Sequence, residues 1–185
     1  MTRNEPTADA TDKALLAATA KGDLAAFERL HQRYYGRINA FALRLTRRPE
    51  LAEEVAGDTL MAVWKSAESF RGEAKPSTWI LGIAYRMALR ACRKAKRDAL
   101  HDEIDDDLPA ERTGSEEVET LFQRKAIAAA MERLSPEQRA TVELTYFYGY
   151  RLTEIAEITG CPVGTVKTRM FHARARLREL LKGEA

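Results

Sequence analysis

Between residues 160 and 176 the chain reads GCPVGTVKTRMFHARAR. Two glycines and a proline open the stretch, and a basic run follows that holds Lys167, Arg169, His172, Arg174 and Arg176. At helical spacing Val166, Met170, Ala173, Leu177 and Leu180 fall on one face, which would pack against Ile155 and Ile158. Thr165, Lys167, Thr168, Arg169, Phe171, His172, Arg174, Arg176 and Arg178 fall on the other. Such a face suits nucleic acid. Some of these side chains can reach base edges in the major groove, and the rest neutralise phosphates. Phe171 lies off the apolar stripe, where an aromatic beside bases suits a thymine methyl. The preceding residues, LTEIAEIT, form a short helix with Thr153 as its expected N-cap, Ile155, Ala156 and Ile158 as buried positions and Gly160 as its stop. Short helix, glycine turn and basic helix is the order of a helix-turn-helix.

A second basic patch has a different setting. Arg86, Arg90, Arg93, Lys94, Lys96 and Arg97 crowd one helix end with no turn-helix before them. Upstream stand Phe70 and Arg71 in a loop, then Trp79 and Tyr85. Aromatics beside bases can stack unpaired nucleotides, which is how single strands are gripped. The plainer alternative is a solvated helix end favoured by the helix dipole. Trp79 is expected in the core and the basic tail on nucleic acid.

The elements that must position these faces are all helices. Residues 1–12 read as a frayed, disordered tail. Asp23 is a suitable N-cap for a helix whose buried face is Phe27, Leu30, Tyr34, Ile38, Phe41 and Leu45. Pro49 suits the first turn of the next, with Leu51, Val55, Thr59 and Val63 inward and an end near Ser66. SAESFRGEAKPS, residues 66–77, reads as a loop. A third long helix is expected from about Ser77 to Arg97, with Ile80, Ile83, Ala84, Met87 and Ala91 inward. Helical patterning resumes near Val118. Ser135 and Gln138 have capping-box spacing with Pro136 between them, and that helix is expected to end around Tyr148–Gly149. The last helix should run from about Gly164 to Leu181. No strand pattern occurs, so the fold class is all-α in two small helical lobes.

The net charge of +2 over 185 residues hides a strong asymmetry. Residues 98–119 carry ten acids against the single base Arg112, a net of −9, so the remainder carries +11. Dense like charge with Pro109 and Gly114 cannot bury enough apolar surface to offset its ordering entropy, and reads as a flexible acidic linker over 98–117. Such a linker can span tens of ångströms and raises the effective concentration of the second lobe. Asp105–Asp107 lack a histidine or second acidic cluster to complete a metal site. Cys92 and Cys161 are far apart with no CxxC pair, which fits a reducing cytoplasm and two incidental thiols. The N-terminus has no apolar core like that of a secretory signal, and no apolar run approaches a membrane span.

Two strings carry a family resemblance. LSPEQRATVELTYFYGYRLTEIAEITGCPVGTVKTRMFHARARLREL resembles the sigma-4 domain of extracytoplasmic-function (ECF) sigma factors, of the sigma-70 family. AEEVAGDTLMAVWKSAESFRGEAKPSTWILGIAYRMALRACRKAKR resembles their sigma-2 domain. The resemblance implies residues 13–97 as a sigma-2 domain that docks on core polymerase and recognises and melts the −10 element. It implies residues 118–185 as a sigma-4 helix-turn-helix that reads the −35 element. Lys167, Thr168 and Phe171 match positions that contact −35 bases, with Arg169 and His172 supporting the phosphates and Thr165, Arg174 and Arg176 on the same DNA-binding face. The −10 reader would be Phe70, Arg71, Lys75 and Ser77 of the loop with Tyr85, Arg86, Arg90 and Arg93 of the next helix. Glu53, Glu54, Asp58, Met61 and Trp64 correspond to the face that docks on the clamp helices of the largest polymerase subunit.

The partners implied are core RNA polymerase, at those clamp helices and its flap, promoter DNA as duplex and as melted non-template strand, and an anti-sigma factor. No catalytic residue, cofactor, metal or small-molecule substrate is implied. The expected setting is cytoplasmic: at the nucleoid when bound to polymerase, or at the inner membrane under an anti-sigma factor in a stress or envelope response. Three positions depart from the family's usual pattern. Gly57 stands where Gln is usual, and Arg86 and Arg90 where Asn and Asp are usual. Gly57 also costs about 1 kcal/mol of helix propensity against alanine.

Two other classes compete. A polymerase-independent helix-turn-helix regulator would bind duplex sites unaided, its N-terminal lobe sensing a ligand or dimerising. A nuclease using Asp105–Asp107 would need a partner cluster of the kind metal-assisted phosphoryl transfer requires.

Overall fold

A computed structural model of the chain describes residues 8–99 and 118–182. Among these, helices predominate and no strand occurs. The N-terminal group is α1 (Ala8–Thr19), α2 (Leu24–Thr46), α3 (Pro49–Ser66), a 3-10 turn (Ala67–Ser69) and α4 (Pro76–Ala99). The C-terminal group is α5 (Val118–Glu132), α6 (Pro136–Tyr146), α7 (Leu152–Thr159) and α8 (Val163–Lys182). None of the helices is long and apolar enough to cross a membrane, among the described residues.

Local chemistry starts most of these helices where expected. The Asp23 carboxylate accepts from the Ala26 amide at 3.0 Å, satisfying one of the orphan donors of α2. Ser135 Oγ accepts from the Gln138 amide and Gln138 Oε1 from the Ser135 amide, both at 3.2 Å, closing the capping box. At α7 the expectation needs correcting. Arg151, not Thr153, is the N-cap, and its amide donates to Glu154 Oε2 at 2.9 Å. The carboxylate three residues on does the capping from inside the helix.

Gly160 ends α7 in the left-handed region at φ 64°. A Cβ there costs roughly 1–2 kcal/mol. Gly160→Ala should therefore lower the urea unfolding midpoint by that equivalent, and an unchanged midpoint would contradict the cap.

Two other boundaries differ from expectation. Residues 8–12 are helical rather than a frayed tail. Asp12 is 4 % exposed, accepts from the Tyr34 hydroxyl at 2.6 Å and pairs with Arg33 Nε at 2.9 Å. Leu15 and Leu16 behind it anchor the turn in the core. Residues 1–7 of that tail lie outside the described residues, as do 100–117 of the acidic linker and with them Asp105–Asp107. The other difference is α6, which stops at Tyr146. There the chain turns inward instead: Tyr148 donates to the Arg37 carbonyl at 3.1 Å, and the Tyr150 amide to that of Leu144 at 2.9 Å.

The two groups of helices share one core. Leu30, Ile38 and Phe41 of α2, Ile80, Leu81 and Ala84 of α4, Ala140 and Leu144 of α6, Ile155 and Ile158 of α7 and Val166 of α8 form a continuous buried cluster. The expected stripe on α8 is thus divided. Val166 joins Ile155 and Ile158, whereas Met170 and Ala173 pack with Met131, Leu134 and Val142 in a second cluster. Helix α7 lies along α4, and α6 against α2. Gly82 permits the first approach, since a Cβ there would stand 3.4 Å from the Ile158 carbonyl oxygen.

Polar contacts reinforce the seam. Arg37 Nη2 donates to the Tyr150 hydroxyl at 2.8 Å, Arg44 pairs with Glu143 at 2.9 Å, and Arg47 pairs with Glu132. Arg139 on α6 is 8 % exposed. It donates to the carbonyls of Met131, Glu132 and Leu45 at 2.9 Å and of Leu134 at 3.3 Å. It thereby terminates α5 and reaches the last turn of α2 with one guanidinium.

Candidate nucleic-acid interface

Burial of Val166, Met170 and Ala173 fixes the rotation of α8 and turns the opposite face to solvent. Lys167, Thr168, Phe171, His172, Arg174 and Arg176 are exposed there, and Thr165 and Arg169 are half-buried. Phe171 is 69 % exposed, with its ring edge-on to His172 at 5.5 Å. An apolar ring left in water beside cations fits a base-contacting role. Thr168 Oγ1 donates to the Gly164 carbonyl at 3.0 Å, leaving its lone pairs free to accept. Two guanidiniums are already held. Arg174 donates to the Tyr146 hydroxyl from Nε at 3.0 Å and Nη2 at 2.5 Å, and Arg176 pairs with Glu179 at 3.1 Å. Lys167 makes no ion pair among the described residues.

The second face is less uniform. Arg71, Lys75, Arg86, Arg90 and Arg93 are exposed, and Phe70 and Ser77 are half-buried. Phe70 packs on Trp79 with ring centroids 5.4 Å apart, and both rest against the core. Tyr85 needs correcting as a DNA-facing residue: it is 3 % exposed. Its hydroxyl points toward Arg169 and Cys161 on the opposing lobe; burial pushes its pKa up, and the Arg169 guanidinium opposes that rise. Arg169 in turn donates to Cys161 Sγ at 3.4 Å. Arg86, Arg90, Arg93, Lys96, Arg97 and Arg169 surround a cleft of about 830 Å³ in which Glu137 is the single acid. Both basic regions seen in sequence therefore meet at one seam.

Two further ion pairs close the seam on this side, Lys75–Glu154 at 2.8 Å and Arg93–Glu137 at 3.5 Å. The hydrogen bond from Lys75, followed by that from the Arg151 amide, holds Glu154 below the usual carboxylate range. The same hydrogen bond raises Lys75. The depressed acid contributes above its ordinary pKa and is lost as pH falls through the lowered one. The raised base contributes below its ordinary pKa and is lost as pH rises through the raised one. A carboxylate NMR titration should place the Glu154 midpoint below an ordinary glutamate. In Lys75→Gln the midpoint should move up part of the way, because the Arg151 amide remains.

On α3, Glu53, Glu54, Asp58 and Met61 are exposed on one face, Met61 at 50 %. Gly57 lies among them with open space where a side chain would stand. Trp64 sits at the edge of this face, half-buried and edge-on to Phe27 at 5.1 Å. None of the described residues form a group of three or more His, Cys, Asp or Glu suited to a metal.

Residues 30–98 match the model for sigma-70 region 2, and residues 124–177 that for sigma-70, region 4. The ECF RNA polymerase sigma factor SigM of Mycobacterium tuberculosis is 36 % identical over 172 residues, 92 % of this chain and 85 % of that protein. The ECF RNA polymerase sigma factor SigL of the same species is 29 % identical over 170 residues, 91 % of this chain and 96 % of that one. Among solved structures, the sigma factor RpoE from Bartonella quintana, in complex with the anti-sigma factor NepR, superposes with TM-score 0.66 and 28 % identity. It covers 84 % of this chain and 96 % of that one. CnrH, in complex with the cytosolic domain of CnrY, shares the fold with TM-score 0.70 at 21 % identity, over 95 % and 99 % of the two chains. The two lobes are thus those of a sigma-70-type transcription initiation factor, a class distinct from enzymes. Within that class, this chain belongs to the ECF sigma factors, which direct RNA polymerase to promoters.

The sequence alone missed the residues of the seam. Arg139 and Glu143 are among them: only the fold shows that α6 is enclosed on nearly every side, so that a base and an acid four residues apart on it must find partners. Nothing in the sequence named Leu45 or Arg44 as those partners.

Proposed function

We propose that α8 reads the −35 element of a promoter as duplex, with Lys167, Thr168 and Phe171 on bases and Thr165, Arg169, His172, Arg174 and Arg176 toward phosphates. The loop before α4, with Arg86, Arg90 and Arg93, takes the melted non-template strand of the −10 element. Glu53, Glu54, Asp58 and Met61, with Trp64 at the rim, dock on the clamp helices of the largest polymerase subunit, and the C-terminal lobe on the flap. Residues 13–97 and 118–185 act as the two functional domains in the cytoplasm. The observation that carries this reading is the solvent-facing set Lys167, Thr168 and Phe171, fixed in place by the buried Val166–Met170–Ala173 side of the same helix.

An anti-sigma factor holds the chain inactive until a signal arrives. Supporting this is its 28 % identity to a sigma factor solved with its anti-sigma partner. The reading is tested by transcription in vitro, with core polymerase lacking any sigma, this protein and a genomic DNA library. Transcript starts should share two motifs at fixed spacing. No specific starts, with footprints on duplex DNA by the protein alone, would instead mark a polymerase-independent regulator.

A further inference from the structure

The cleft beside Tyr85 has a lopsided charge balance. Five arginines and one lysine line it, five of these bases from α4 and Arg169 from α8, and six bases less the single acid Glu137 leave +5 on its walls. Glu137 is already paired with Arg93. Arg86, Arg90, Lys96 and Arg97 make no ion pair among the described residues. Arg169 donates to the Cys161 thiol at 3.4 Å, a weak acceptor that returns little to a cation. Like charges gathered around one cleft repel, and one acid does not balance them.

Shape adds a second argument. The cleft encloses about 830 Å³, inside the roughly 300–1,000 Å³ range of small-ligand sites. Tyr85 and Leu89, 3 % and 9 % exposed, form an apolar floor. Walls of one sign over a low-dielectric floor focus the field inward. The anion that suits them is phosphate, which guanidinium forks bind through paired hydrogen bonds. One phosphate group brings only about −1.5 to −2 at pH 7, so two or more linked together are needed to match the walls. A DNA strand spreads one charge per nucleotide along its length, whereas an oligophosphate concentrates several on neighbouring phosphorus atoms.

We propose that this cleft binds a compact oligophosphate, the group shared by inorganic polyphosphates and nucleoside polyphosphates, held from both lobes at once by Arg86 and Arg90 on α4 and Arg169 on α8. The site goes beyond promoter reading and stands whether or not that reading holds. Arg86 and Arg90 are also the positions where Asn and Asp are usual, so much of the charge that makes the site belongs to this chain rather than to the family pattern. Because the same two arginines are assigned to the −10 strand, oligophosphate and strand exclude each other there.

Isothermal titration calorimetry of the full-length protein with sodium tripolyphosphate tests the site. One ligand should bind per chain, and sulfate at the same concentration should not displace it. Arg86→Gln and Arg169→Gln, one on each lobe, should each weaken binding by about tenfold, the scale of a lost hydrogen bond to a charged group. Arg29→Gln, at an exposed base of α2 outside the cleft, should bind as wild type. Should a cleft variant fail to fold, isotope-labelled wild type followed by NMR decides: the Arg90 and Gly160 amides, one on each lobe, should shift with a common midpoint. Adenosine triphosphate separates the two sources. Tighter binding than tripolyphosphate assigns the site to nucleotides, and equal or weaker binding to inorganic oligophosphate; both uphold it. An affinity that ignores Arg169→Gln, more than one ligand per chain, or displacement by equimolar sulfate would overturn the proposal. So would failure to bind tripolyphosphate at millimolar concentration, which would leave the cleft to a DNA strand.

Discussion

Arg139→Ala should lower the stability of the chain by about 3–5 kcal/mol, the range for stripping one member from a buried polar network. In a chain of this size that is a fall in Tm on the order of 10 °C. The side chain is buried and its donors meet four carbonyls, three at the end of α5 and one at the end of α2. Burial lowers its pKa, yet an arginine starts so high that it stays charged. Alanine leaves those carbonyls without donors in a space too enclosed for full hydration. Arg139→Lys should recover only a minority of the loss, because an ammonium lacks the planar fork that reaches several acceptors at once. Thermal denaturation followed by circular dichroism measures both. If alanine cost under 1 kcal/mol, the guanidinium would not be what closes α5 onto α2.

Lys167→Glu should reduce transcription from the protein's own promoter by about 10–100-fold, the scale expected when one base edge goes unread and a phosphate is repelled. The side chain is exposed, so the Tm should stay within the equivalent of about 0.5 kcal/mol. Arg174→Ala should do less, because that guanidinium is already committed to the Tyr146 hydroxyl. Run-off transcription on a fixed template separates these outcomes. Full-strength transcription by Lys167→Glu would remove Lys167 from the reading set. Loss of activity together with lost helicity would assign it to folding instead.

Much of the helix plan was legible because its signals are local. Asp23, the Ser135–Gln138 box, Pro49 and Gly160 each act within one turn, and the apolar spacing of α2 and α8 gave their buried sides. The seam was not legible, because its partners lie far apart in sequence. Lys75 and Glu154 are 79 positions apart, and Arg139 and Leu45 are 94 apart. Tyr85 shows the effect most clearly. On α4 alone it is an aromatic beside arginines, a fair candidate for stacking on a base. The neighbours that meet it are Cys161, in the turn after α7, and Arg169 on α8, whose docking no periodicity in α4 announces. Asp12 is the converse case: a polar residue in a polar stretch, drawn into the fold by the Tyr34 hydroxyl on another helix.

The shared core also has a consequence for synthesis at the ribosome. Leu81 and Ala84 on α4 are covered in part by Ile155 and Ile158, which are made some 75 residues later. At about 5–20 residues per second, that side of α4 is without its cover for roughly 4–15 s. A nascent chain carrying bare leucine and alanine for seconds is a substrate for ribosome-associated holdases. Slowing translation between α4 and α7 should lengthen that exposure and lower the soluble yield, without altering any residue of the finished protein.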